Sequence, residues 1–188
     1  FTLPDLVDAL AAHAMPLDPP MRDNVRRELD MKDAGGLKEA GGEAYLPLLY
    51  ATGRFDEAVA KLQAIDAGGA LASRIAGLKA IARRIGALDG IEVRITLDPT
   101  ERHGFEYQSW FGFTLYAEGL RGTLGRGGTY LIKGSDEAAT GFSLFIDQLA
   151  QALGDPTPRD TLYLPLGHDA AVAARLRAEG WRTIAQIG

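Results

Sequence analysis

Apolar residues recur every three or four positions over the first half of the chain, and every second position after it. Leu3, Leu6, Val7, Leu10 and Ala14 share one helical face behind Thr2-x-x-Asp5, a capping pattern with Pro4 in the first turn. Met21, Val25 and Leu29 mark a second helix, expected to end near Gly35-Gly36. Phe55, Ala58, Val59 and Leu62 mark a third, stopped by Gly68-Gly69. Leu71, Ile75, Leu78, Ala82 and Ile85 mark a fourth, with Arg74, Lys79, Arg83 and Arg84 on its other side.

At Gly90 the period changes to two. Ile91, Val93, Ile95 and Leu97 alternate with Glu92, Arg94 and Thr96, which predicts a strand. A second, longer strand follows: Phe105, Tyr107, Ser109, Phe111, Phe113 and Leu115 take one face, and Glu106, Gln108, Trp110, Thr114 and Tyr116 the other. Two substantial faces predict a central strand. Glu118-Gly119 reads as a turn, and Gly125-Arg126-Gly127-Gly128 as a glycine turn before a third, antiparallel strand over Thr129–Lys133. From Gly141 the pattern runs from strand into helix through Phe142, Phe145, Ile146, Leu149 and Leu153. After it, 155–160 holds two prolines and reads as a linker. Thr161–Leu166, a helix capped by Asp169 and ended at Gly180, and Trp181–Ile187 make one β-α-β element, too small to fold alone. The fold class is therefore α+β. Residues 1–88 form a helical segment, 89–154 an antiparallel sheet with its helix, 155–160 a linker, and 161–188 a β-α-β unit.

Composition narrows the chemistry. The 188 residues are 46% hydrophobic, with mean hydropathy near zero and no run approaching the roughly 20 apolar residues of a membrane span. Phe1-Thr2-Leu3-Pro4 does not read as a secretory signal, and the lack of cysteine suits a reducing cytoplasm, so a cytoplasmic protein is expected. A net charge of −5 argues against a broad phosphate-binding surface, hence against a nucleic-acid partner. Arg26-Arg27 and Arg83-Arg84 read as solvated helix faces. His13, His103 and His168 lack the spacing of a metal site, and neither a nucleophile elbow nor a phosphate-loop lysine is present. No metal, cofactor or catalytic residue is called for. Gly122-Thr123-Leu124-Gly125-Arg126-Gly127-Gly128 resembles a phosphate loop only superficially, because no helix follows it. Glu106, Gln108 and Trp110 on one strand face, with Gly127, Gly128 and Tyr130 nearby, fit a small-molecule pocket. Glu106 suits an ammonium or imidazolium, Gln108 both donates and accepts, and Tyr130 offers a hydroxyl and a ring wall. The same alternation fits a solvated sheet face, and the residue pattern alone does not choose.

Three segments resemble the histidyl-tRNA synthetase family, a class II synthetase fold. His103-Gly104-Phe105-Glu106-Tyr107-Gln108-Ser109 looks like its histidine-binding strand motif, Gly127-Gly128-Thr129-Tyr130 like its Gly-Gly-Arg-Tyr motif, and Gly141–Leu149 like class II motif 3. The resemblance implies that 1–88 contains the family's helical insertion and that 161–188 begins its anticodon-binding domain. It also makes Glu106, Tyr107, Gln108, Gly127, Gly128 and Tyr130 a vestigial histidine pocket. His103 and Gln148 stand where the family carries arginines that stabilise adenylation, so aminoacylation is not expected. A synthetase-like body without those arginines resembles the regulatory subunits of ATP phosphoribosyltransferase. That resemblance implies a non-catalytic, homodimeric subunit bound to the short-form catalytic subunit in a hetero-oligomer, activating it and taking part in feedback by histidine. The alternative it leaves is a divergent synthetase paralogue that activates or transfers an amino acid. On the regulatory reading, motifs 1 and 2 would precede Phe1.

Overall fold

The structure is a computed structural model and describes residues 1–66, 68–102, 108–135, 137–152 and 159–186; of Gln148, Gln151 and Ala152 it describes the backbone only. Two compact units divide the chain, Phe1–Ile146 and Asp147–Gly188.

In the first unit α1 (Leu6–His13), α2 (Pro19–Asp30), α3 (Ala34–Glu39), a 3-10 helix (Glu43–Tyr50), α4 (Phe55–Ile65) and α5 (Ala72–Gly86) enclose one apolar core. Leu6, Leu10, Val25, Leu29, Leu48, Leu62, Leu71 and Leu78 lie fully inside it, as the 3.6-residue period requires. The boundaries depart from the sequence pattern where side chains have other employment. Thr2 does not cap α1; its backbone bridges to Gly112, and Leu3 is buried before the helix begins. Asp5 makes no capping bond and instead accepts both arms of the Arg74 guanidinium, at 2.9 and 2.6 Å, which ties α1 to α5. That paired carboxylate raises the pKa of Arg74 further. Gly35-Gly36 does not end a helix but lies inside α3. Their N–H groups donate to the capping Asp33 carboxylate, and a Cβ on Gly36 would sit 2.5 Å from Glu28 Oε2. The end of α2 is instead at Met31-Lys32, with Lys32 at φ +58°.

The predicted strand 91–97 forms only at Thr96–Leu97 (β2), antiparallel to the two-residue β1 (Gly53–Arg54). Ile91 and Val93 are exposed, because no neighbouring strand among the described residues reaches them. The main sheet has the order β3 (Gln108–Leu115), β4 (Gly125–Leu131), β5 (Ala138–Leu144), all antiparallel, so the α+β antiparallel class is borne out. The central strand is β4, not β3, and it contains Gly127-Gly128; the connection that precedes it is 116–124. Beside β3, on the side away from β4, Thr2 alone among the described residues pairs, with Gly112.

The alternation expected along β3 is also interrupted. Between the pairs Ser109–Thr129 and Gly112–Gly128, β3 advances three residues and β4 one. This bulge puts Trp110 at φ +61°. Trp110 therefore does not join Gln108 on one face. Its ring packs on the helical core, where a Cβ on Gly77 of α5 would lie 2.2 Å from it, and it meets Phe111 edge-on at 5.4 Å. Phe111 in turn joins Phe1 and Phe113. These aromatics fasten the sheet to the helices.

The strand-to-helix passage is present as β5 followed by α6 (Ile146–Ala152). In the second unit β6 (Thr161–Leu164) and β7 (Arg182–Ala185) pair in parallel and α7 (Ala170–Ala178) connects them, the β-α-β element read from the sequence. Asp169 caps α7 through the N–H groups of Ala171 and Val172.

Candidate functional site

The register of the main sheet makes a trough. Gly112, Gly128 and Gly141 are partners across β3, β4 and β5, so one row of this face carries no side chain. The next row towards one end pairs Gln108 with Tyr130, and the row towards the other aligns Thr114, Arg126 and Ser143. Gln108, Arg126, Gly127, Gly128, Tyr130, Gly141, Phe142 and Ser143 line a cavity of about 420 Å³, a size suited to a small metabolite.

The bare row lets two polar side chains lie down on the sheet. A Cβ on Gly128 would stand 3.1 Å from Gln108 Nε2 and 2.6 Å from the Phe111 carbonyl, and one on Gly112 would stand 3.0 Å from Gln108 Oε1. The Gln108 amide donates to the Gly127 carbonyl at 3.3 Å. The Tyr130 ring covers Gly141, whose Cβ would sit 3.3 Å from the ring edge. Gly127 belongs to the opposite face, where its missing Cβ leaves room for Phe113 and Phe142; only its backbone faces the trough. Thr129, also on that face, bonds the Ser109 carbonyl and holds the bulge closed.

At the far end, Arg126 Nε is buried and has no hydrogen-bond partner among the described residues. A buried guanidinium N–H without a partner is costly and attracts an anionic acceptor. The trough therefore offers a cation at one end and, at the other, a donor–acceptor amide beside a phenol. It suits a zwitterion with a polar side chain, the chemistry of an amino acid.

Of the six residues expected at a pocket, the structure brings Gln108, Gly127, Gly128 and Tyr130 together; Glu106 and Tyr107 lie outside the described residues. His103 lies outside them too, as does the side chain of Gln148. Trp110 leaves the site by way of the bulge. Arg126 and Ser143 were missed, although the period of two backwards from Tyr130 leads through Gly128 to Arg126. No group of three or more histidine or acidic residues that could hold a metal occurs among the described residues, and no described helix is long and apolar enough to cross a membrane.

The family model for histidyl-tRNA synthetase matches residues 1–149. The chain belongs to the histidyl-tRNA synthetase family. Within that family its relatives include the ATP phosphoribosyltransferase regulatory subunits of Rhodospirillum centenum, 36% identical over 99% of this chain and 48% of the relative. That of Paramagnetospirillum magneticum is 38% identical over 98% of this chain and 49% of the relative. The chain thus spans about half the length of the curated relatives it matches. Two solved structures share the fold. One, from Bacillus halodurans, is described as an ATP phosphoribosyltransferase regulatory subunit/histidyl-tRNA synthetase, with TM-score 0.60 and 20% identity over 96% of this chain and 51% of that one. The other is the histidyl-tRNA synthetase of a Nostoc species, with TM-score 0.59 and 16% identity over 100% of this chain and 51% of that one. The class II synthetase-like fold expected from the sequence is thereby borne out.

Proposed function

We propose that the chain is part of a non-catalytic regulatory subunit that joins the short-form catalytic subunit of ATP phosphoribosyltransferase in a hetero-oligomer, activates it, and carries histidine feedback in the first step of histidine biosynthesis. One observation carries this: identity of 36% and 38% over nearly the whole chain to proteins named as that regulatory subunit. The site agrees with it. By the family resemblance, His103 and Gln148 stand where an adenylating enzyme carries arginines, while the trough holds groups suited to an amino acid. In this reading histidine lies along the glycine row, its carboxylate towards Arg126 and its imidazole towards Gln108 and Tyr130; Glu106 and Tyr107, outside the described residues, are the further contacts that the family resemblance implies. Occupancy of the trough would then bias the catalytic partner. The protein would act as a homodimer in the cytoplasm, without a cofactor and without binding nucleic acid.

The test mixes the full-length protein with its cognate short-form catalytic subunit and follows phosphoribosyl-ATP formation with and without histidine. Stimulation of a weak basal activity, reversed by histidine, is expected. No complex and no stimulation overturns the proposal, and histidine-dependent pyrophosphate exchange by the protein alone would make it a synthetase paralogue instead.

A further inference from the structure

A second cavity, of about 1040 Å³, opens in the first unit between α4, α5 and the segment before β2, and shares no lining residue with the trough. Phe55, Ala76, Ala82, Val93 and Ile95 give it an apolar lining, and Arg54, Lys79, Arg83 and Arg94 give it four cations against the two carboxylates of Asp56 and Glu57. None of these cations forms an ion pair among the described residues. Arg22, Arg26, Arg27, Lys32 and Arg74 elsewhere in this unit each pair with a carboxylate, whereas Arg54, Arg83 and Arg94 pair with none among the described residues. Lys79 reaches only the Gln63 amide, at 3.0 Å. In a chain of net charge −5, this is an excess of positive charge gathered at one cleft and without ion-pair partners among the described residues.

The wall at 91–95 adds a second feature. Its residues alternate apolar and charged like a strand, yet the β1–β2 ladder stops at Thr96, and only the Ile95 carbonyl is engaged, by the Phe55 N–H at 3.2 Å. The backbone of Ile91–Arg94 makes no backbone hydrogen bond among the described residues, and Ile91 and Val93 stay exposed at 62% and 46%. Such a segment can accept an added strand.

We propose that this cleft docks an acidic, extended segment of a partner protein, which pairs with the 91–94 backbone and lays its carboxylates on Arg54, Lys79, Arg83 and Arg94. The apolar lining favours a peptide with alternating apolar residues over a bare polyphosphate or nucleic-acid backbone, which would leave Val93 and Ile95 without an apolar partner. A second copy related by a twofold axis through the cleft would bring the same cations together. The inference does not rest on the regulatory reading.

The experiment titrates the intact, isotope-labelled protein with an acetylated and amidated octapeptide of alternating glutamate and valine, following backbone amide shifts. Saturable shifts are expected at 79–83 and 91–95. They should weaken at least about tenfold with the glutamine–valine peptide and with the R83E/R94E pair, as loss of complementary charge requires. Val93→Pro, which removes one N–H from the segment while keeping every cation, should weaken peptide binding and leave the spectrum of α1 and α2 unchanged. The proposal is overturned if no shift saturates, if inorganic polyphosphate occupies the cleft as tightly as the peptide, or if the shifts track self-association of the protein rather than peptide occupancy.

Discussion

Arg126 and Tyr45 show what single side chains do here. Arg126 is the one trough residue whose buried N–H lacks an acceptor among the described residues, so a ligand carboxylate has most to gain there. Arg126→Gln removes the charge with little change in volume, and histidine binding is expected to weaken by about 1.5–3 kcal/mol, the range for a hydrogen bond to a charged group. Calorimetric titration checks it, together with an unchanged thermal midpoint; equal affinity in the variant would remove the carboxylate from this end. Tyr45, buried in the core, donates to the Met15 carbonyl at 2.6 Å, and burial pushes its hydroxyl pKa above the ordinary value. The folded state therefore holds a proton that the unfolded chain releases near pH 10, so this contribution is full below that pH and is lost as pH rises beyond it. Tyr45→Phe should cost about 1 kcal/mol at neutral pH by orphaning the Met15 carbonyl, and the deficit should shrink above pH ~10. Urea melts at pH 7 and 10.5 measure both.

At the scale of elements, the contact between α5 and β3 decides how the sheet sits on the helices. The bulge turns Trp110 onto Gly77, and a methyl there would lie 2.2 Å from the indole. Gly77→Ala improves helix propensity by about 1 kcal/mol in isolation, yet overpacking typically costs 1–3 kcal/mol, so net destabilisation with a shifted tryptophan emission is expected. A stabilised protein with unchanged emission would show that the indole moves aside freely. The same contact explains what could be read in advance. Helices α4 and α5 were legible because their apolar period is buried by the helices themselves. Neither the bulge nor the failure of 91–95 to form a ladder was, because each depends on what the opposing strand offers: glycines beside β3, and only the two-residue β1 beside β2. Gln108, Gly127, Gly128 and Tyr130 were legible as a site through a family motif. Arg126 was not, since assigning Gly127-Gly128 to a turn hid the two-residue period that joins it to Tyr130.

At the scale of the molecule, the two units are unequal in what they bury. The first holds one continuous core from Leu3 to Phe111. In the second, Leu164 and Ala173 are the only buried hydrophobic residues among those described, while Tyr163, Leu166, Val172, Trp181 and Ile184 remain exposed. An element that buries so little apolar surface gains little against the conformational entropy of ordering its backbone, and its helix is held at one end by the Asp169 cap rather than by a core. Local opening should therefore cost much less in the second unit than in the first. Native-state hydrogen exchange on this chain is expected to show α7 amides exchanging at least about a hundredfold faster than those of α1 and α4. If α7 exchanged as slowly as α4, the second unit would be held by contacts that its own 147–188 segment does not supply, and its stability would have to be sought in association with another surface.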